Sequence, residues 1–193
     1  GNGVELGGAR AIEGSGALKN ITIGKNVVSI GNNAFKDCTS LKEIKIPDSV
    51  TDLGDGIFNG CSSLASVKLG AGVDKIGANA YKNIDTLTEI IIPEGITEIG
   101  DYAFYDCDGI TEIVIPSTVK KIGKSAFEGC DALAILTISN GVEEIGDKAF
   151  KDCVGLEVVK LPNSVTKVGE DAFSGCSKIT SITLGAGLKE IGA

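Results

Sequence analysis

Six cysteines are the residues of this chain best suited to chemistry, and their spacing decides what they can do. Cys38, Cys61, Cys107, Cys130, Cys153 and Cys176 follow one another at intervals of 23 or 46 residues, with no CxxC pair and no histidine anywhere in the chain. The usual structural zinc spacings are therefore absent. Without histidine there is also no Ser-His or Cys-His pair to activate a nucleophile. A disulfide between neighbouring copies is geometrically conceivable, because stacked strands lie ~4.8 Å apart and a bridge wants Cα atoms roughly 5–6 Å apart. Ile84 stands where a seventh cysteine would fall. That substitution predicts a small buried hydrophobic site and six free, inert thiols.

Other groupings offer less. Glu89 and Glu112 share one column of the repeat, close enough to perturb each other's ionisation, and read as a solvated acidic face. Asp106 and Asp108 flank Cys107, and Asp52 and Asp55 flank Leu53-Gly54, but neither set has the alternating oxygen ligands and closing Glu of a calcium loop. Gly14-Ser15-Gly16 and Gly70-Ala71-Gly72 lack the Lys-Ser/Thr of a phosphate loop and read as turns. No catalytic residue, metal ligand or cofactor is implied, and the chain is expected not to be an enzyme.

The cysteine interval belongs to a repeat of the whole chain. Ile30-Gly31 returns as Leu53-Gly54, Ile76-Gly77, Ile99-Gly100, Ile122-Gly123, Ile145-Gly146, Val168-Gly169 and Ile191-Gly192, always offset by 23 positions. A unit of this size cannot bury its apolar face alone and must stack on copies of itself, as in a solenoid. Within one unit, Leu41 to Pro47 alternates apolar and polar residues as a half-buried strand does. Pro47 ends that strand, and its column continues as Pro93, Pro116 and Pro162 with Gly or Ser elsewhere. A return segment, Val50 to Leu53, closes on the recurrent glycine, which is expected to adopt a backbone angle that other residues resist. A short helical or 3₁₀ turn is expected next, carrying Ala34-Phe35 and Cys38 with their equivalents, the rings stacking as an aromatic spine. Leu41, Ile44, Ile46, Val50, Leu53 and Phe58 are the expected core.

The pattern LxxIxIPxSVxxIGxxAFxxC, which Leu41 to Cys61 follows with Leu53 in place of its last Ile and Ile57 in place of the Ala, resembles the leucine-rich repeat of the bacterial surface-antigen class called BspA-like. The resemblance covers residues 18 to 192. It lacks the Asn ladder of commoner leucine-rich repeats, since that column reads Asn26, Ser49, Gly72, Gly95, Thr118, Gly141, Ser164 and Gly187. It implies an α/β solenoid: a right-handed, curved array with one parallel sheet on the concave side and short helical or 3₁₀ turns on the convex side. It also implies secreted or surface-attached proteins that adhere to host or neighbouring-cell proteins. A parallel β-helix is the rival architecture, but it needs strands on several faces, and only one segment per repeat alternates cleanly. Residues 18–193 are read as a single solenoid domain of about seven repeats, and 1–17 as a degenerate partial coil or remnant. Because the chain has no Met, it is expected to be a processed or excised piece of a longer product.

Composition narrows the partners. With 18 basic and 26 acidic residues the net charge is −8, and Arg10 is the one arginine, so the basic footprint of a nucleic-acid or anionic-membrane binder is missing. No apolar run approaches the ~18 residues of a membrane span, so no membrane insertion is expected.

The residues free to specify a partner are the two outward positions of each strand. Among them Ile91 and Val114 share one column in consecutive repeats, and Ile135 and Val158 share the other in the next two, with Glu89, Glu112 and Lys160 at the edges. Exposed contiguous apolar surface commonly marks a contact site, although β-branched residues suit strands whichever way they face. The leading expectation is a non-catalytic adhesion module, extracellular or on a bacterial cell surface, whose concave sheet binds an extracellular or host protein or a glycan. The alternative is a spacer segment with no specific ligand.

Overall fold

The computed structural model describes residues 4–6 and 10–192. The chain winds into a parallel β-solenoid in which every strand pairs with its counterpart one coil away. The first strand of each coil lies where the alternation puts it: Glu43–Lys45, Ser66–Lys68, Glu89–Ile90, Glu112–Ile115, Ile135–Ile138, Val158–Lys160 and Ser181–Thr183. Pairing is in 23-residue register, as in Glu112 beside Ile135 and Val114 beside Thr137. Inward residues are buried, including Leu41, Ile44, Ile46, Val50, Leu53 and Phe58. Ile182, Leu184 and Ile191 continue the same inward columns in the final described coil and are exposed.

Two expectations about the rest of the coil need correction. The return segment is itself a strand, so a second set of parallel strands runs along the molecule in two sheets, one through Val4–Leu6, Val27–Ile30 and Asp52–Leu53 and the other through Lys75–Ile76, Glu98–Ile99, Lys121–Ile122, Glu144–Ile145, Lys167–Val168 and Glu190–Ile191. Most of these strands have two residues, one outward and one inward, too short for alternation to show in the sequence. Their outward residues read Lys75, Glu98, Lys121, Glu144, Lys167 and Glu190, opposite charges in paired register. A slip of one coil keeps the apolar columns matched but places like charges side by side, which is unfavourable.

The outer turn is not helical, for no α- or 3₁₀-helix occurs among the described residues. Two residues four apart in each turn have left-handed backbone, such as Asn33 and Asp37, Asn79 and Asn83, Tyr102 and Asp106, or Lys148 and Asp152. Such angles break a right-handed helix. Alternate amides then point along the solenoid: the N–H groups of Asn33, Phe35 and Asp37 donate to the carbonyls of Asp55, Ile57 and Asn59 in the next coil, at 2.8, 3.0 and 2.8 Å. The turn thus forms a third hydrogen-bonded seam. Beneath it the rings of Phe35, Phe58, Tyr81, Phe104, Phe127, Phe150 and Phe173 stack with centroids 4.8–5.8 Å apart, a separation close to the inter-strand spacing.

The recurrent glycine also has a different cause from the one expected. Gly54, Gly77, Gly100, Gly123, Gly146 and Gly169 are not among the left-handed residues. What excludes a side chain is the coil below: a Cβ on Gly123 would stand 2.6 Å from both the amide nitrogen of Asp101 and the carbonyl carbon of Gly100. The glycine permits close approach of two backbones. An Asx ladder runs beside it, in which Oδ1 of Asn32, Asp55, Asp101 and Asp147 accepts from the backbone N–H one coil on, at 2.8–2.9 Å.

Gly123→Ala should therefore force two coils apart and cost about 1–3 kcal/mol, the usual range for overpacking. Gly24→Ala, with open space around its Cβ and no left-handed backbone, should be near neutral. Chemical denaturation of the two variants checks this; equal stability would mean that the coils are not in backbone contact there.

Candidate functional site

The six thiols are the groups that the sequence marks for chemistry. All six are free and buried, and each donates to the carbonyl of the aromatic column, or its equivalent, in the preceding coil. Cys61, Cys107, Cys130, Cys153 and Cys176 Sγ lie 2.9–3.1 Å from the carbonyl oxygens of Phe35, Tyr81, Phe104, Phe127 and Phe150. Cys38 lies 3.4 Å from that of Ile12. The column is more than the small hydrophobic site read from Ile84, because the thiol is also a donor between coils. Burial pushes Cys61 and Cys107 up to about 12 and Cys176 to about 11, and raises Cys38, Cys130 and Cys153 as well. A thiol kept protonated in this way is a poor nucleophile and metal ligand. No cluster of three or more His, Cys, Asp or Glu side chains suited to a metal occurs among the described residues.

The outward face of the first strand stack is where the repeat departs from uniformity. Ile91, Val114, Ile135 and Val158 are 81%, 48%, 55% and 43% exposed. The structure divides the seven sequence-selected residues between two shallow depressions. Glu89, Ile91, Glu112 and Val114 line one of about 640 Å³, and Ile135, Val158 and Lys160 line another of about 400 Å³. Ile135 lies beside Glu112, so the apolar column steps sideways between Val114 and Ile135 rather than running straight. Strand pairing is interrupted between Glu89–Ile90 and Glu112–Ile115, and again between Ile135–Ile138 and Val158–Lys160. None of the five ion pairs among the described residues involves Glu89, Glu112 or Lys160, which leaves their charges available. Beside this face, no helix of the described residues is long and apolar enough to cross a membrane.

The model of the BspA type leucine rich repeat region matches residues 8–134 and 97–193, in six copies. The chain belongs to that family. Among solved structures, a leucine rich cell surface protein from Faecalibacterium prausnitzii A2-165 is 28% identical with a TM-score of 0.61, over 86% of this chain and 53% of its own. The T. pallidum leucine rich repeat protein TpLRR is 30% identical with a TM-score of 0.61, over 86% of this chain and 67% of its own. The pneumococcal vaccine antigen PcpA, 22% identical with a TM-score of 0.65 over 96% of this chain and 51% of its own, shares the fold. The BspA-type chain thus spans about half the length of the F. prausnitzii protein. No curated protein matches its sequence.

The raised thiols give a signed pH dependence. Folding favours the neutral form, so the thiol contribution is complete below the ordinary value of 9.0 and is lost as pH rises towards 12. Stability should fall between pH 9 and 12, and Cys61→Ala/Cys107→Ala should fall less steeply. Denaturant titrations across that range measure both slopes; parallel slopes would show that the thiols do not contribute.

Proposed function

We propose that this chain is a non-catalytic binding module of a bacterial cell-surface or secreted protein. It engages an extracellular or host protein through the outward face of the first strand stack, with Ile91, Val114, Ile135 and Val158 as apolar anchors and Glu89, Glu112 and Lys160 as a polar rim. The observation that carries this reading is the exposure of four apolar side chains in four successive coils, while the outward residues of the strands Glu43–Lys45 and Ser66–Lys68 are polar on the same face. An apolar patch rimmed by unpaired charges is the usual composition of a contact surface. The cell-surface description of the F. prausnitzii relative supports the location. Family membership and the inert thiols support a role without catalysis.

The test compares Val114→Lys/Ile135→Lys with Glu170→Lys, which changes the net charge by the same amount at an exposed outer-turn position. Both should melt close to the parent, since outward substitutions usually cost within about 0.5 kcal/mol. Capture of solubilised extracellular-matrix proteins should fall at least tenfold for the double variant alone, because central apolar anchors are commonly worth ~2 kcal/mol or more. Equal capture by both would favour a spacer role.

A further inference from the structure

Nine aromatic residues occur in the chain, and seven of them form the buried spine. The other two, Tyr102 and Tyr105, share one outer turn, in columns that elsewhere hold Asn33, Asn79 and Lys148 or Lys36, Asn59 and Lys151. Their ring centroids are 5.7 Å apart and the planes are inclined at 55°. Tyr102 carries its ring on left-handed backbone, at φ 57°, where small polar residues are more usual.

A cation already occupies this pair. Lys82 Nζ, from the preceding coil, lies 4.8 Å from the Tyr105 ring centroid and 5.5 Å from that of Tyr102, both within cation–π range. It forms none of the ion pairs among the described residues. Carboxylates lie nearby: burial and then Asp108 raise Asp106, Lys82 lowers it, Asp85 and Glu128 raise it further, and Asp106 is the main cause of the raised Tyr105 phenol.

We propose that Tyr102 and Tyr105 form a cation-accepting aromatic site for an arginine side chain of a partner protein, with Lys82 seated in it as an internal substitute. The ammonium shows where positive charge is favoured, and its flexible stem lets it leave. A guanidinium suits the place better, because it is planar, weakly hydrated and able to stack on tyrosine while its N–H groups donate to a carboxylate such as Asp106. This site is on the outer turn, away from the strand face, and stands independently of the function proposed for that face.

An acetylated, amidated hexa-arginine peptide titrated calorimetrically into the intact chain provides the test. Tyr105→Leu removes a ring without changing charge and should weaken binding about fivefold, whereas Tyr105→Phe keeps the ring and should bind as the parent does. Lys82→Gln empties the site and should bind more tightly than Lys151→Gln, which loses the same charge in the same column two coils further on than Tyr105. Unchanged binding in Tyr105→Leu, or no advantage of Lys82→Gln over Lys151→Gln, overturns the proposal. So does a site that ignores the peptide and takes up a neutral hexose oligosaccharide in a Tyr105-dependent way.

Discussion

Hydrogen bonding between neighbouring coils one period apart is the constraint on which the rest of the structure depends. Three seams run along the solenoid, two of short strands that are interrupted in places and one of outer turns, and in each the paired backbone finds its partner in the neighbouring coil. A buried amide without a partner is costly, so the coils must keep one length and one separation. The stacked rings, the thiol-to-carbonyl bonds and the Asx ladder all follow from that separation. So does the glycine of the Ile-Gly pair, which marks where two backbones approach too closely for a Cβ.

The same constraint separates scaffold from function. Inward positions are occupied by packing, and the seams occupy the in-plane amides and carbonyls. What varies freely is the outward side chain. On the strand face the variation collects four apolar residues in adjoining coils, and on the outer turn it places two tyrosines around a lysine. Both departures interrupt columns that are otherwise polar, and both can change without disturbing the stack beneath. The six thiols, by contrast, lie in the interior, where burial holds them neutral.

Much of the fold was legible because the inward columns never vary in kind. Leu41, Ile44 and Ile46 announced a strand by alternation, and Phe35 with its equivalents announced a spine by recurrence. The second strand stack was hidden because two-residue strands such as Glu98–Ile99 contain no alternation. Its alternating charges from Lys75 to Glu190 were visible but required knowledge that those residues adjoin. The outer turn reads as helical in the sequence because Ala34-Phe35 through Cys38 has an apolar spacing that a helix shares. The signal against it was the column of Asn33, Gly56 and Asn79, residues that accept left-handed backbone. The exposed strand residues were found from sequence, whereas the tyrosine pair escaped notice because Lys82 lies a full coil away from Tyr105.

Amide hydrogen exchange resolved by residue tests the constraint most directly. If the outer turns are a third seam, the amides of Phe104, Phe127 and Phe150, which donate to the next coil at 2.7–2.8 Å, should exchange as slowly as those of the Glu112–Ile115 strand. Protection should fade towards Ser181–Thr183 at the last coil, where local opening is easiest. Rapid exchange at the three phenylalanine amides beside protected strands would contradict the account, since it would make the turns loose connections and leave the coil length without its cause.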